Sequence, residues 1–575
     1  MKKYVAQYKK EFILGPAFKL AEAILELLVP LVMAKIIDVG VQNGDVPYIL
    51  KMGGLMVLLG VLGLGFAIIC QYCAAVAQQG IGTALRRDLL HTINSLSKAD
   101  RDKFSNATLI TRITNDINQI QSGVAMLIRL VFRSPFLIAG SLIMAMVLDL
   151  KMSIIFFVAG FLVSGIMYFI LSRSLPLYKK IQQKLDGLSR ITGEGLSGVR
   201  VIRAFGKSKH EKERFSDENA VLTKISVRVG RLNAYLNPLT FAVINLGIVL
   251  ILYFGGVNVN TGTLTQGEII AFTNYMTQIL LSIIVFANVI VIFTKAAASI
   301  TRVEDVLNTK PTMEEGTLQK FNPENGSPAV AFENVDFSFT DAEEKVLSDI
   351  RLEIKKGQTV GIIGGTGAGK SAMINLMLRL YDADSGHVRV FGHDVRDFTF
   401  RALRNTVHIV SQGSRLFKGT VLDNLTCGKT DVPEEQIEAA LRISQSAEFV
   451  EKLPDGLQTP VEEGGKNFSG GQRQRLCIAR ALVGDPEILI FDDSSSALDY
   501  ATDAKMRRAI ATELSGKTII LVSQRVSTVR NADQIVLMDD GKICGVGTHE
   551  QLFRDNELYR EICHSQLSEK EAANA

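Results

Sequence analysis

The sequence has little excess charge of either sign, since 63 lysines and arginines stand against 59 aspartates and glutamates and the net charge is +4. Nucleic-acid binding needs a basic surface, so no nucleic-acid partner is expected. Cysteine is also scarce, with six thiols scattered through 575 residues, which implies no disulfide framework. Cys70 and Cys73 have C-x-x-C spacing but lie inside an apolar run, where they lack the context of a redox motif.

A cleavable leader is not expected either. Lys2, Lys3, Lys9 and Lys10 precede the first apolar run, but no small-residue cleavage site follows that run. We therefore interpret the N-terminus as a cytosolic flank. Its shortness before residue 12 argues against an added protease or docking domain.

Long apolar runs are what the sequence has in abundance. A bilayer core about 30 Å thick needs roughly 20 mostly apolar residues per helix. Six runs satisfy this length and predict an all-α transmembrane domain over residues 1–300. The predicted spans are 12–36, 52–77, 129–149, 153–174, 234–257 and 267–298.

The segments between these runs alternate in charge. Residues 78–128 and 175–233 are long and rich in basic residues, whereas the other linkers are short and poor in them. Basic flanks stay on the cytoplasmic side of a membrane, so both termini are predicted to be cytoplasmic. The long segments are predicted to extend the helices into the cytosol, with turns near residues 106–113 and 195–205 that press on a cytosolic motor.

Charged residues inside the spans are costly and are functional candidates by default. Glu22 and Glu26 lie one helical turn apart in the first span, and Arg129 and Arg133 have the same spacing. One interpretation is an acidic patch that selects cationic cargo. The alternative is that the arginines lie at a membrane edge or stalk and that acid and base pair structurally.

The last span carries a polar stripe at roughly helical spacing. Its members are Asn274, Thr277, Gln278 and Ser282. Such a stripe either lines a water-filled path or joins helices by hydrogen bonds.

From residue 330 onward, short β-rich runs alternate with charged helices, which predicts an α/β domain over 330–575 after a linker at 301–329. Within it, a glycine-rich loop follows an apolar strand and opens a helix, as a P-loop does. Backbone N–H groups of such a loop bind phosphates, Lys370 reaches the outer phosphates and Ser371 ligates magnesium. The predicted ATP-binding loop comprises Gly364, Gly365, Thr366, Gly367, Ala368, Gly369, Lys370, Ser371 and Ala372.

A second apolar strand ends at Asp492, which places this acid beside the P-loop, where it suits Mg²⁺. Between the two strands lies a motif with helix-start amides, formed by Ser469, Gly470, Gly471 and Gln472. This motif resembles the signature of the ATP-binding cassette family. The six-helix part resembles the exporter branch of that family, so the resemblance spans essentially the whole chain.

The resemblance implies a head-to-tail dimer in which the signature of one subunit caps ATP held by the other. It also implies roles for single residues. Phe339 matches the aromatic position that stacks on adenine, Gln412 matches the glutamine that senses the metal, and Asp499, in Ser496-Ala-Leu-Asp499, matches the loop that crosses the dimer interface. The implied metal ligands are Ser371, Gln412 and Asp492, and the implied cofactors are ATP and Mg²⁺.

Three positions depart from the family pattern. Asp493 stands where the family has the catalytic Glu, and its side chain is one methylene shorter. Gln524 replaces the switch histidine and cannot carry an imidazolium charge. Ala372 replaces a second hydroxyl of the P-loop.

Asp493 and Gln524 together predict a slow ATP site in this chain, whereas its intact signature is expected to complete a competent site on a partner. This combination resembles one subunit of a heterodimeric exporter, which implies export of amphipathic, multidrug-like compounds across the plasma membrane. The partner half-transporter is expected to carry Glu and His at the matching positions. The alternatives are a homodimeric exporter of lipid, peptide or porphyrin-like cargo, and a nucleotide-gated channel or regulatory module.

Overall fold

The computed structural model describes residues 1–319, 326–339, 344–429, 431–494 and 498–566, so part of the predicted linker and Ser496 lie outside the described residues. Two compact units are formed. The first contains Met1–Asn94 and Asn106–Asn308, and the second contains Ser95–Ser105 and the described residues of Thr309–Ala575.

Long helices make up the first unit. In the described part of the chain, five are long and apolar enough to cross a membrane: Val46–Ser95, Asn106–Leu148, Leu150–Ser197, Ser208–Asn260 and Gln266–Leu307. The first predicted span lies in a sixth helix, Lys9–Lys35, whose apolar stretch carries Lys19, Glu22 and Glu26. The predicted all-helical domain is thus confirmed. Shorter pieces are Lys2–Gln7, the π-helical turns Ile36–Val41, Arg112–Asp116 and Leu127–Val131, and Val199–Ala204.

Local capping sets several helix boundaries. The carboxylate of Asp149 accepts a 2.7 Å hydrogen bond from the amide of Met152 and starts Leu150–Ser197. Thr265 and Glu268 form a capping box that starts Gln266–Leu307. That helix ends at Leu307, past the predicted domain boundary at residue 300.

Of the two predicted intracellular turns, the structure places a break in the helix at the second but not at the first. Residues 106–113 are helical and enter a π-helical turn, whereas the chain reverses within Ser95–Ser105, which contains the short helix Lys98–Asp102. The second prediction, 195–205, coincides with a break at Gly198 followed by Val199–Ala204. Asn106 begins a run without proline or glycine, so nothing there interrupts a helix.

Packing in the first unit is tight inside and apolar outside. Phe272 and Tyr275 are fully buried, and the Tyr275 hydroxyl donates a 2.7 Å hydrogen bond to the carbonyl of Leu27. A Cβ atom at Gly267 would lie 2.3 Å from the carbonyl oxygen of Ala34, so only glycine allows this close helix approach. Large apolar side chains such as Phe161 point outward, as expected of helices that face lipid.

The second unit is built on two main sheets, which confirms the predicted α/β domain. Among the described residues, one sheet is antiparallel, with neighbouring strands Leu347–Ile354, Val330–Phe337, Ser385–Val390 and His393–Asp394. The other has six strands and is parallel except for its antiparallel edge strand. Its order is Lys542–Gly547, Gln534–Asp539, Thr359–Gly364, Thr518–Ser523, Ile488–Asp492 and Val407–Val410. A small pair joins Gly419–Thr420 to Pro460–Val461.

Helices cover these sheets and form a separate apolar cluster around Val421, Leu476 and Ile478. A second cluster contains residues of the antiparallel sheet, the six-stranded sheet and the helix that follows the glycine-rich loop, and a third includes Val526, Val529 and Tyr559. The helices are Lys98–Asp102, Lys370–Met377, Phe400–Thr406, Val421–Thr426, Glu434–Ile443, Ala447–Glu451, Gly470–Leu482, Tyr500–Glu513, Val526–Val529, His549–Asp555 and Glu557–Gln566, with 3₁₀ turns at Gly456–Gln458 and Glu463–Gly465.

Candidate nucleotide-binding site

The glycine-rich loop joins the strand Thr359–Gly364 to the helix Lys370–Met377, in the predicted order. Gly367 and Gly369 have φ angles of 88° and 94°, a left-handed conformation that favours glycine. Such an arrangement binds phosphate through backbone donors and the helix dipole.

Lys370 begins this helix, and its side chain reaches back to the loop. Its Nζ atom donates hydrogen bonds to the carbonyls of Gly364 and Gly365 at 2.9 and 2.6 Å. Burial lowers the pKa of the ammonium group, and the charges of Asp492 and Asp493 partly oppose that effect. The lysine is thus a cation held next to two carboxylates and the phosphate-binding amides.

Asp492 is the last residue of the strand Ile488–Asp492, and a second acid, Asp493, follows it. Burial raises the pKa of Asp492, the charge of Asp493 raises it further, and Lys370 opposes both. Asp493 has a φ angle of 44°, and its amide donates a 2.8 Å hydrogen bond to the carbonyl of Val522. The backbone of Asp493 is therefore fixed in a left-handed conformation, which aspartate tolerates better than most residues.

One cavity of about 300 Å³ brings together most of the residues predicted for this chain's own ATP site, but Gly364 and Gly365 do not line it. The side chain of Gln524 reaches its wall, with Nε2 3.5 Å from the hydroxyl oxygen of Thr366. The predicted residues that line the cavity are Phe339, Thr366, Gly367, Ala368, Gly369, Lys370, Ser371, Ala372, Gln412, Asp492, Asp493 and Gln524.

Phe339 contributes an aromatic ring to the wall of the cavity. Its ring makes edge contacts with Phe337 and Tyr381, with centroids 5.1 and 5.4 Å away. The side chain is nevertheless 39% exposed. A ring supported at its edges and open on one side is suited to stack on a base.

The predicted signature residues do not line this cavity. Ser469 caps the helix Gly470–Leu482 in a reciprocal capping box: its hydroxyl accepts from the Gln472 amide at 3.3 Å, and the Gln472 side chain accepts from the Ser469 amide at 2.9 Å. Ser469 and Gly470 are exposed. The motif is therefore a preformed helix start on the surface, separate from the ATP cavity of the same chain.

Asp499 also lies outside the cavity. Its carboxylate caps the helix Tyr500–Glu513 by accepting a 2.9 Å hydrogen bond from the Thr502 amide. That bond lowers the pKa of Asp499.

In the first unit, the predicted path residues have partners. Glu22 pairs with Lys19 at 2.7 Å, and Glu26 pairs with Arg133 at 2.7 Å. Gln278 accepts a 3.1 Å hydrogen bond from Ser141, whereas the Asn274 amide donates to the carbonyl of Ile270 within its own helix. Each carboxylate is thus compensated by a cation of the same chain.

A segment that sequence reasoning missed is the helix Lys98–Asp102 in the second unit. Ser97 caps it by accepting a 3.0 Å hydrogen bond from the amide of Asp100, whose side chain is fully buried. The Asp100 carboxylate in turn accepts a 3.0 Å bond from the amide of Thr312. The Ser97-x-x-Asp100 spacing is the sequence signal that marks this helix start.

The chain combines long apolar helices with a P-loop and, in the same cavity, the carboxylate of Asp492. This combination defines an ATP-dependent membrane protein. The family model described as "ABC transporter transmembrane region" matches residues 12–283, and the model described as "ABC transporter" matches residues 347–496. The chain belongs to the ABC transporter family, whose nucleotide-binding domain binds ATP.

Three known proteins show how far this likeness extends. An uncharacterized ABC transporter ATP-binding protein of Mycobacterium tuberculosis is 36% identical over 98% of this chain and 97% of its own length. A multidrug efflux ATP-binding/permease protein of the same species is 29% identical over 97% of this chain but only 46% of its own length. The structure of a bacterial Atm1-family ABC exporter with ATP bound superposes with a TM-score of 0.78 at 23% identity, covering 99% of each chain, so the fold is that of an ABC exporter half-transporter.

Proposed function

We propose that this chain is the slow-site subunit of a heterodimeric, ATP-driven exporter of amphipathic compounds in the plasma membrane. The observation that carries the proposal is the composition of the ATP cavity: Asp493 and Gln524 line it together with P-loop residues 366–372. The multidrug efflux relative, of which this chain matches about half, supports the class of cargo.

At its own site the chain binds ATP and retains it. Phe339 stacks on the base, and Lys370 with the amides of the P-loop neutralises the phosphates. Ser371, Gln412 and Asp492 line the same cavity and offer hydroxyl, amide and carboxylate oxygens, the donor set that suits Mg²⁺. When bound, Mg²⁺ neutralises charge on the phosphates during transfer.

Hydrolysis is slow because the acid that should orient water is short and fixed. The hydrogen bond from the Asp493 amide to the Val522 carbonyl holds the backbone in place. The backbone therefore does not move forward to compensate for a side chain that is one methylene shorter than Glu. Loss of a positioned base costs about 10²- to 10⁴-fold in rate. The signature of Ser469, Gly470, Gly471 and Gln472 then serves the partner's competent site, and Asp499 lies at the interface between the subunits.

The cargo path is proposed to use the polar face of the last span, at Asn274 and Gln278. Glu22 and Glu26 are both paired with cations of this chain, so they contribute little net negative charge to such a path. Amphipathic cargo fits this balance better than strongly cationic cargo.

The test compares ATP hydrolysis by the full chain alone, in lipid nanodiscs, with hydrolysis by the chain co-expressed with a half-transporter that carries Glu and His at the matching positions. Slow turnover alone and fast turnover of the pair are expected. In the pair, changing the partner's Glu to Gln should stop turnover, whereas Asp493→Asn here should change it little. Fast turnover by the chain alone contradicts the proposal.

A further inference from the structure

We propose that Gln566 is a positioning residue of the nucleotide-binding site and that it acts by fixing the backbone on both sides of Arg525. The inference rests on the proposed function, because it takes Gln524 as the residue that faces the phosphates. It adds the C-terminal helix Glu557–Gln566 to the parts of the molecule that shape the site.

The contact uses both ends of one side-chain amide. Nε2 of Gln566 donates a 2.8 Å hydrogen bond to the carbonyl of Gln524, and its Oε1 accepts a 2.9 Å bond from the amide of Val526. The two partners are backbone groups that flank a single residue. A primary amide is the side chain that can donate to one and accept from the other.

The amide at the start of the helix Val526–Val529 needs a hydrogen-bond acceptor from another part of the chain. The helix Val526–Val529 begins with Arg525 as its N-cap, and Arg525 makes no side-chain capping bond. A guanidinium has no acceptor, so it cannot satisfy the first N–H groups of a helix as Ser, Thr, Asp or Asn would. Gln566 supplies that acceptor from 40 residues further along the chain.

The helix that carries Gln566 is itself held in place by packing. Tyr559 and Cys563 of the C-terminal helix are fully buried and belong to the same apolar cluster as Val526 and Val529. The hydroxyl of Tyr559 lies 2.8 Å from Nδ1 of His549, which ties the helix to its neighbour. Gln566 is thus presented from a packed scaffold to the segment that carries Gln524, whose side chain reaches Thr366 of the P-loop.

The test measures the half-time of dissociation of radiolabelled MgATP from the full chain in lipid nanodiscs. Gln566→Ala is compared with Gln524→Ala, with the double variant, and with Glu561→Ala, which alters an exposed residue of the same helix. Gln566→Ala is expected to shorten retention roughly three- to tenfold, as loss of one or two hydrogen bonds predicts. Glu561→Ala should behave as the unaltered chain.

The double variant separates positioning from a general structural effect. If Gln566 acts through Gln524, its removal should change nothing further in the Gln524→Ala background. Normal retention in Gln566→Ala, or an equal additional loss in that background, overturns the inference while the proposed function stands. If Gln524→Ala itself leaves retention unchanged, the assigned role of Gln524 fails and the inference fails with it.

Discussion

The hydroxyl of Tyr381 donates a 2.9 Å hydrogen bond to a carboxylate oxygen of Asp102, the last residue of the short helix Lys98–Asp102. The same ring contacts Phe339 by its edge, and the ammonium group of Lys98 lies 5.4 Å from the ring centroid. Within the second unit, one tyrosine therefore connects the aromatic wall of the ATP cavity to a helix that is distant in sequence.

Removal of this hydroxyl should loosen the helix. Tyr381 is only 7% exposed, and a hydrogen bond to a charged acceptor contributes about 1.5–3 kcal/mol. Tyr381→Phe keeps the ring, so Phe339 retains its contact. We expect amide hydrogen exchange in Ser95–Ser105 to become roughly tenfold faster or more. Tyr500→Phe, the same change at a 90% exposed position of the same unit, serves as control and should have no effect.

Alkaline pH should produce a similar loosening in the unaltered chain. Burial, the hydrogen bond to Asp102 and the charge of that residue raise the pKa of Tyr381 to about 12. Since the protonated phenol is the form that the fold favours, its contribution is complete below the ordinary value of about 10 and is lost as pH rises from there through about 12. Hydrogen exchange corrected for its intrinsic pH dependence should show this change. If Tyr381→Phe shows the same alkaline change, another group is responsible.

A longer acid at position 493 should restore hydrolysis. Asp493→Glu adds the missing methylene and is expected to raise the ATPase rate of the full chain roughly tenfold or more. The left-handed backbone at φ 44° favours Glu less than Asp, so a modest loss of thermal stability should accompany the gain. Asp485→Glu is the matched control, because Asp485 is an exposed aspartate with φ 52°. An unchanged rate in Asp493→Glu would show that side-chain length does not limit turnover.

Much of this arrangement could be predicted from the sequence because it depends on short-range patterns. The P-loop is a strand, a glycine turn and a helix in consecutive residues, and the apolar spans follow from the length and composition of the runs. The capping box of Ser469 and Gln472 likewise uses residues three apart.

Contacts between distant residues could not be predicted in this way. Gln566 and Gln524 are 42 residues apart, and nothing in the local pattern of either indicates the other. The predicted turn at 106–113 was misplaced for a related reason: basic composition marks the whole segment as cytosolic but does not show where the chain reverses. The local signal was the cap at Ser97, which lies several residues earlier.

The two membrane acids allow a comparison of the same substitution in two settings. Glu26 pairs with Arg133, 107 residues away, whereas Glu22 pairs with Lys19 in its own helix. Glu26→Gln leaves Arg133 without its partner and removes a contact between helices. The thermal unfolding midpoint of the Glu26→Gln variant should therefore fall further than that of the Glu22→Gln variant. Polar pairs between membrane helices contribute about 0.6–2 kcal/mol.

A double-mutant cycle decides whether the Glu26–Arg133 pair is structural. Arg133→Gln should lower the free energy of unfolding less in the Glu26→Gln background than in the unaltered chain. In that background Arg133 has already lost its carboxylate partner, so its replacement breaks no ion pair. Additive losses would show that the 2.7 Å contact contributes no interaction energy.

Transport of a cationic dye by the Glu22→Gln, Glu26→Gln double variant tests the acidic-patch interpretation. A loss of transport that exceeds the loss of folded protein supports that interpretation. Unchanged transport leaves both acids with a structural role.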